Sequence, residues 1–188
     1  MNTTQTAVVF DLSLAGEADP ELRFEAVYRG HFRRVYRWVT RLAPHADAED
    51  LSQEVFLVVH RRLPEFEGKA RISTWLFQIT YHVVGSFLRR RRSERRVKGA
   101  LSLLPPPSDA EPPQAALERE EEVHAVRDGL AALQLKHRTV LVMYELEQWS
   151  GADIAEALAI PVETVYSRLH YARRKLASRV AVRLGRKP

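Results

Sequence analysis

Residues 151–176 read GADIAEALAIPVETVYSRLHYARRKL, a segment in which two short helical patterns are separated by a proline. The apolar spacing of a helix-turn-helix is carried by Ile154, Ala155, Leu158, Ile160 and Val165. Pro161 suits a first helical position, because its missing N–H would have no partner there. Ala159 replaces the glycine that is usual at such a turn. The segment therefore predicts a helix-turn-helix.

The second helix of this motif enters the major groove of DNA, where its outward residues meet base edges. The outward stripe consists of Glu163, Tyr166, Ser167, His170 and Arg173, with Thr164 in the first turn. Arg168, Arg174 and Lys175 are better placed for phosphates, which give affinity without reading sequence. The pattern predicts binding to duplex DNA. An ordinary helical hairpin with a basic end is the alternative.

Charge is unevenly distributed along the chain. The 188 residues carry 29 Lys and Arg against 24 Asp and Glu, a net charge of +5. Residues 89–98 hold seven basic side chains and one acidic, and residues 161–188 hold eight and one. Residues 99–132, between them, hold two basic and seven acidic. Two basic blocks predict two separate contacts with a polyanion, and two solvated helix ends are the alternative.

Composition excludes several functions. There is no cysteine, which excludes a disulfide-stapled secreted module, thiolate metal sites and a cysteine nucleophile. No basic residue precedes Arg23 and no long apolar run follows Met1, so a secretory signal is not expected. The most apolar stretch, 76–88, is too short to span a bilayer. We expect a cytoplasmic protein without membrane insertion, cofactor or bound metal.

Helical periodicity dominates the first half of the chain. From Pro20 to Val97 apolar residues recur at three and four positions, with breaks at Pro44 and Pro64. Asp47 is predicted to cap the second helix, and Ser73 or Thr74 the third. One apolar stripe in the first helix is predicted to contain Phe24, Val27, Tyr28, His31, Phe32, Val35, Tyr36 and Val39. No segment alternates with the period of a strand.

A proline-rich segment divides the chain. Residues 99–114 contain five of the ten prolines, and all seven phenylalanines precede this segment. Such segments are extended and stiff, and they commonly join domains. The predicted fold class is all-α, with two small helical domains joined by a Pro-rich linker, the C-terminal one containing the helix-turn-helix. The predicted parts are a tail (1–20), an N-terminal helical domain (21–98), the linker (99–116), the helix-turn-helix domain (117–182) and a tail (183–188).

The helix after Asp47 carries two opposite stripes. One contains Asp50, Gln53, Glu54 and Leu57, and the other contains Leu51, Val55, Val58 and Leu63. An acidic, hydrogen-bonding stripe opposite a strong apolar stripe predicts docking to a basic protein surface. A solvated acidic face is the alternative.

Aromatic and polar residues are interleaved from Thr74 to His82, shortly before the run Arg89–Arg92. This combination suits single-stranded nucleic acid, because bases stack on rings while cations hold the backbone. The alternative is that the aromatic residues belong to the core. We favour the core for Phe77 and Ile79, whereas Trp75 fits either interpretation.

Two parts of the chain resemble the extracytoplasmic-function (ECF) group of bacterial RNA polymerase sigma factors. Their first conserved domain is resembled by residues 47–56 (DAEDLSQEVF), residues 73–76 (STWL) and the arginine run. Their second domain is resembled by residues 133–176, with ADIA at 152–155 and TVYSRL at 164–169. The resemblance covers about 22–97 and 117–180. His82 and Ser86 depart from it, since the family usually carries asparagine and aspartate there.

The resemblance implies a sigma factor that binds core RNA polymerase and directs promoter recognition, DNA melting and transcription initiation. The residues it implies for docking on the polymerase clamp are Asp47, Asp50, Gln53, Glu54 and Leu57. Those implied for the strand-separated minus-ten element are Lys69, Arg71, Trp75, Gln78, His82, Arg89, Arg90, Arg91 and Arg92. Those implied for the duplex minus-thirty-five element are Glu163, Thr164, Tyr166, Ser167, Arg168, His170, Arg173 and Arg174.

The resemblance also implies an anti-sigma protein as a partner, and a monomer when the chain is free. The alternative function is a helix-turn-helix transcriptional regulator without polymerase-core binding. An enzyme is not expected. The sequence has no Gly-rich phosphate loop, G-x-S-x-G elbow or H-E-x-x-H motif, and no two histidines are three or four apart.

Overall fold

A computed structural model describes residues 20–98 and 114–185. Its helices are α1 (Pro20–Leu42), α2 (Ala48–Arg62), α3 (Ile72–Lys98), α4 (Gln114–Ala131), α5 (Leu135–Leu141), α6 (Gly151–Leu158) and α7 (Val162–Arg183). A 3₁₀ turn (Leu63–Glu65) follows α2, and a π-helical turn (Val142–Leu146) continues α5. These described ranges contain no strand, and the predicted all-α class is confirmed. Of the predicted tails, residues 1–19 and 186–188 lie outside the described residues, and Arg183 is the last residue of α7.

The N-terminal residues of α2 and α3 show whether the predicted N-caps form. The Asp47 carboxylate accepts the backbone N–H groups of Glu49 and Asp50, so the predicted N-cap of α2 is confirmed. The predicted cap of α3 at Ser73 or Thr74 is wrong. Both lie inside the helix, because the carbonyl before Ile72 already accepts the first helical hydrogen bonds.

Two other boundaries differ from the prediction. α4 begins at Gln114, inside the predicted linker and directly after the last proline of that segment. α7 begins at Val162, and Pro161 is its N-cap with an extended backbone rather than its first helical residue. Pro161 has a helical φ of −59° but an extended ψ of 146°, and its carbonyl accepts the first hydrogen bonds of α7, from the N–H groups of Thr164 and Val165.

Helices α1–α3 form the N-terminal unit. Its buried residues include Val35, Trp38, Val39 and Leu42 of α1, Leu51, Val55, Phe56 and Val59 of α2, and Leu76, Phe77, Ile79 and Val84 of α3. The prediction that Phe77 and Ile79 belong to the core is confirmed. Tyr28 and Tyr36 are more than a third exposed, so the predicted α1 stripe is wrong at those positions. Trp38, which the stripe omits, lies fully buried against Phe77.

Helices α4–α7 form the C-terminal unit, in which α7 packs on α4, α5 and α6. Ile154 and Val165 are completely buried between α6 and α7, as the helix-turn-helix pattern requires. Gly129 lets α7 approach α4 closely, since a Cβ there would lie 2.7 Å from the Leu176 side chain. This close packing fixes the orientation of α7 relative to α4.

The turn between α6 and α7 has a left-handed residue. Ala159 has φ 51° and ψ 50°, a conformation that favours glycine. The Ile160 N–H donates to the Ala155 carbonyl at 3.0 Å, which closes the end of α6 in the manner of a Schellman motif. Ser150 and Asp153 form a capping box at the other end. The turn thus keeps the geometry of a helix-turn-helix although it lacks glycine.

Candidate nucleic-acid interface

The stripe predicted to dock on protein lies on an exposed face of α2. Asp50, Gln53, Glu54 and Leu57 are all exposed, and the Leu57 side chain is 63% accessible. The opposite apolar residues of α2 turn into the core. Asp47 is exposed but its carboxylate is used as the helix cap. The face therefore presents carboxylates, an amide and one apolar side chain together.

The acidic face continues into the basic block on α3. The Glu54 carboxylate lies 3.5 Å from the Arg90 guanidinium. Arg90 and Arg91 also lie over the Phe87 ring, 5.8 and 6.0 Å from its centroid. The surface predicted to bind protein and the surface predicted to bind nucleic acid are thus adjacent on the N-terminal unit.

The minus-ten candidates follow one side of α3 and the loop before it. Trp75 is half-buried, with its ring 4.9 Å from Phe66, whose backbone carbonyl accepts from Arg23 at 3.1 Å. Lys69 and Arg71 are exposed in the loop, and Lys69 pairs with Glu67. These contacts fold the loop against the start of α3. Trp75 remains partly accessible to solvent.

Gln78 and His82 continue this side of α3 at helical spacing. His82 is exposed. Gln78 is half-buried, because its side-chain amide donates to the carbonyl of Ala157 in α6 at 3.2 Å. The C-terminal unit therefore covers part of the predicted minus-ten surface in this structure.

The arginine run is partly held in place by hydrogen bonds. Arg89 donates to the Ser86 hydroxyl at 2.9 Å, and Arg91 donates to the His45 carbonyl at 2.5 Å. Arg92 is exposed. Ser86, one of the departures from the family pattern, thus acts as an acceptor for a neighbouring arginine. Ordered guanidinium groups lose less entropy when they bind phosphate.

The minus-thirty-five candidates lie along α7. Glu163, Tyr166, Ser167, His170, Arg173 and Arg174 are exposed, whereas Thr164 and Arg168 are half-buried. The Ser167 hydroxyl donates to the Thr164 carbonyl at 3.0 Å. Arg173 lies 2.5 Å from the Glu145 carboxylate and 5.5 Å from the centroid of the Tyr144 ring. In this structure Arg173 is engaged by the π-helical turn, while His170 projects from α7.

The two units pack against each other along a surface that we call the seam. Trp149 of the C-terminal unit packs against both Trp38 and Phe77 of the N-terminal unit, with ring centroids 6.3 and 5.4 Å away, and those two rings also contact each other. The hydrophobic core consequently runs through both units without interruption. The sequence analysis missed the seam. The only local signal is an isolated tryptophan just before the Ser150 cap.

Arg138 is the central polar group of the seam. Its side chain is buried, and it donates to the carbonyls of Leu130, Ala131 and Leu133 in its own unit and of Leu42 in α1. Burial lowers the pKa of Arg138 to about 10, so the guanidinium remains charged at neutral pH. Four carbonyl acceptors replace the water that the cation loses.

Two further groups complete the seam. Arg127 of α4 donates twice to the Pro44 carbonyl, at 2.9 and 2.6 Å. Glu147, whose side chain is only 7% exposed, pairs with Arg41 and lies 3.6 Å from Arg37. The seam thus combines one aromatic contact with polar groups that are each partnered across it.

Two kinds of site are absent from residues 20–98 and 114–185. No group of three or more His, Asp or Glu side chains is arranged to hold a metal ion. No helix in these ranges is both long and apolar enough to cross a membrane.

The fold and its surfaces define a class of protein. It is an all-α chain in which a helix-turn-helix unit packs on a helical unit with adjoining acidic and basic faces. Residues 27–94 match the family description "Sigma-70 region 2", and residues 124–176 match "Sigma-70, region 4". The chain belongs to the ECF RNA polymerase sigma factors.

Two curated relatives and one solved structure place it among known proteins. The ECF RNA polymerase sigma factor SigL of Mycobacterium tuberculosis is 34% identical over 157 residues, covering 80% of this chain and 85% of SigL. The RNA polymerase sigma factor YlaC of Bacillus subtilis is 28% identical over 153 residues, covering 81% of this chain and 88% of YlaC.

The solved structure is the sigma factor RpoE of Bartonella quintana in complex with the anti-sigma factor NepR. It aligns with a TM-score of 0.65 at 20% identity, over 85% of this chain and 98% of RpoE. At that identity the likeness concerns the fold alone.

Proposed function

We propose that this chain binds core RNA polymerase and directs it to promoters, where it recognises two DNA elements and initiates strand separation. One observation carries the proposal above the others. The region 2 and region 4 matches occur in one chain and in that order. A regulator that only binds DNA through a helix-turn-helix would need neither the region 2 domain nor the acidic α2 face. The relatives' names support the same function.

The α2 face is proposed as the polymerase contact. Its carboxylates complement a basic partner surface, and charge complementarity raises the association rate and fixes the register of binding. Leu57 lies among them and offers an apolar anchor that is desolvated on binding. The face is exposed in the structure, so the free chain can present it without rearrangement.

The α3 side is proposed to hold the separated strand of the minus-ten element. Extruding a base costs a few kcal/mol, which stacking and edge contacts must recover. Trp75 supplies a partly accessible aromatic ring, and Arg89–Arg92 supply charge for the backbone. Lys69 and Arg71 in the preceding loop, with Gln78 and His82 on the helix, lie on the same side.

The α7 face is proposed to read the minus-thirty-five element as duplex. His170 and Ser167 project toward base edges, and Arg168 and Arg174 lie beside them for phosphates. Arg173 reaches DNA after it leaves Glu145. This step costs little free energy, because Arg173 exchanges the Glu145 carboxylate for the anionic DNA.

The closed structure and promoter binding exclude each other. The two elements are about 25 base pairs apart, roughly 85 Å of duplex at 3.4 Å per base pair. A compact chain of 188 residues has a radius of gyration of about 16 Å. The two units must therefore separate along the seam before both elements are bound. Residues 99–113 add at most about 50 Å of reach between them.

Four further properties of the chain follow from the proposed function. The polymerase supplies the chemistry of transcription, so this chain needs no catalytic group of its own. It works where the polymerase works, in the cytoplasm. An anti-sigma protein is proposed as its regulator, because RpoE, which shares the fold, was solved with one. The free chain is proposed to be a monomer.

The decisive experiment adds the purified chain to purified polymerase core with a library of promoter fragments. Specific transcripts with one class of start site are expected. A helix-turn-helix regulator would retain DNA yet leave the core unable to initiate specifically. That outcome, or failure to copurify with core, would contradict the proposal.

Separation of the units can be measured on the same complex. The chain has no cysteine, so Glu65→Cys with Ser178→Cys creates a unique pair for fluorescent labels, one on each unit. Transfer efficiency is expected to be high in the free chain and to fall when core and promoter are added. Unchanged efficiency in a transcribing complex would contradict separation.

A further inference from the structure

A cleft of about 550 Å³ lies at the seam, beside the polar contacts of Arg138. One wall is α3, the other is the end of α4 with the start of α5, and the turn between α1 and α2 closes one side. This volume falls in the range of small-molecule sites. The cleft exists only while the two units are packed together.

The cleft is strongly cationic. The charged residues of its lining are Arg89, Arg91 and Arg92 from α3 and Lys136 and Arg138 from α5. No Asp or Glu lines it. Asp128 pairs with His45, 3.9 Å away, but does not belong to the lining. The cations therefore have no carboxylate inside the cleft to neutralise them.

These cations differ in the hydrogen bonds that they already form. Arg138 donates to backbone carbonyls and therefore contributes only its charge to the cleft, whereas Arg91 is held in place by its hydrogen bond to the His45 carbonyl. Arg92 and Lys136 are exposed and form no ion pair within the described part of the chain. Donors from opposite walls thus remain available in the cleft.

Packing the units together brings Lys136 toward three guanidinium groups, and their mutual repulsion grows as water is excluded. An anion between the walls attracts the cations on both sides, so that the net electrostatic interaction across the cleft becomes favourable. Guanidinium groups pair with phosphate oxygens in bidentate geometry, and lysine adds a point charge. Anionic groups on both sides are needed, because the cations stand on two walls. Tyr81 and Leu88 supply a less polar portion of the lining.

We propose that this cleft binds a small oligophosphate anion that bridges α3 and α5 and holds the two units together. The site is separate from the surfaces assigned above to polymerase and to the upstream element. It shares Arg89, Arg91 and Arg92 with the proposed minus-ten contact. A ligand that binds only the closed arrangement shifts the population toward it by mass action. Bound oligophosphate and promoter DNA therefore compete.

The test uses the full chain and inorganic tripolyphosphate, titrated by calorimetry at about 150 mM salt, where diffuse surface attraction is screened. Lys136→Glu is expected to weaken binding by about tenfold or more, since it replaces a bridging cation by a like charge of the ligand. Arg33→Glu is the matched control. It makes the same charge change on an exposed part of α1 outside the cleft.

Two further arms identify the source of the phosphate and the effect on the units. ATP is compared with tripolyphosphate, and tighter binding of ATP would show that Tyr81 and Leu88 accept a base. In the chain labelled at positions 65 and 178, tripolyphosphate is expected to preserve high transfer efficiency when core is added.

Absence of binding, or equal weakening by Lys136→Glu and Arg33→Glu, would overturn the proposal. So would binding that leaves the labelled units free to separate. Promoter-directed transcription by Lys136→Gln, which removes the cation without placing a carboxylate in the cleft, is expected without added anion to match that of the unchanged chain. A cleft that does not bind oligophosphate can therefore be distinguished from a chain that does not direct transcription.

Discussion

The acidic face of α2 and the seam treat charged side chains in opposite ways. On α2, Asp50 and Glu54 lie open to solvent, and only Glu54 has a cation nearby. At the seam, Glu147 and Arg138 are withdrawn from solvent. Glu147 pairs with Arg41 of the other unit, and Arg138 donates to three carbonyls of its own unit and to the Leu42 carbonyl of the other. An exposed charge remains available to another molecule. A buried and fully bonded charge has already been used within the chain.

This difference predicts where substitutions act. Changes on α2 should alter association and leave the fold intact. Changes at the seam should alter stability and the closed population, because removal of one partner leaves the other buried without a hydrogen bond. Three predictions test this contrast and a fourth tests the helix-turn-helix, in order from the largest expected effect to the smallest.

Arg138→Met removes the donor to four carbonyls while it keeps the length of the side chain. We expect a loss of about 3–5 kcal/mol in the free energy of unfolding, because buried acceptors are left without partners. Urea denaturation followed by circular dichroism measures it. Arg33→Met, exposed on α1, is the control and should change stability by about 0.5 kcal/mol or less. A small effect at Arg138 would mean that water replaces the guanidinium.

Asp50→Arg with Glu54→Arg reverses the charge of the α2 face. Affinity for core polymerase should fall by about 100-fold or more, since like charges now oppose a basic partner. Fluorescence anisotropy with labelled chain measures the affinity, and circular dichroism verifies the fold. Glu25→Arg with Glu156→Arg makes the same charge change on exposed positions elsewhere. If both double variants bind equally, the α2 face is ordinary solvent surface.

Glu147→Gln and Glu54→Gln form a matched pair, one buried at the seam and one exposed on α2. Glu147→Gln should cost about 1.5–3 kcal/mol, because charge-assisted bonds to Arg41 are lost from a site with little water. Glu54→Gln should cost about 0.5 kcal/mol or less. Thermal unfolding of both variants measures the difference. Equal costs would show that the seam opens readily in the free chain.

Ala159→Gly tests the left-handed residue of the helix-turn-helix. Because a Cβ is unfavourable at φ 51°, the variant should be more stable by about 0.5–1 kcal/mol. Chemical denaturation measures it, with Ala152→Gly in the helical part of α6 as the opposite control. A destabilised Ala159→Gly would indicate that the methyl group packs usefully in the turn.

Features set by neighbouring residues were predictable from the sequence. Asp47 caps α2 because its carboxylate reaches the N–H groups two and three positions ahead. Ile154 and Val165 are buried because their spacing allows no other face of α6 and α7 to meet. The exposed α2 stripe follows in the same way from the burial of the opposite one.

The seam was not predictable, because its contacts join residues far apart in the chain. Arg138 lies in an amphipathic helix, where a basic residue ordinarily indicates solvent. Trp149 stands outside any periodic pattern, so no spacing marks it as core. The cap of α3 failed for a related reason, since the loop before Ile72 is shaped by contacts with Trp75 and Arg23.

Three hydrogen bonds across the seam have acceptors of one kind. Arg138, Arg127 and Gln78 all reach main-chain carbonyls, those of Leu42, Pro44 and Ala157. Every amino acid carries that oxygen, so mutation of the accepting residue leaves the bond available as long as the backbone keeps its path. At these three bonds, mutational drift on the accepting half need not be matched on the other, whereas the Arg41–Glu147 pair requires matching side chains on both.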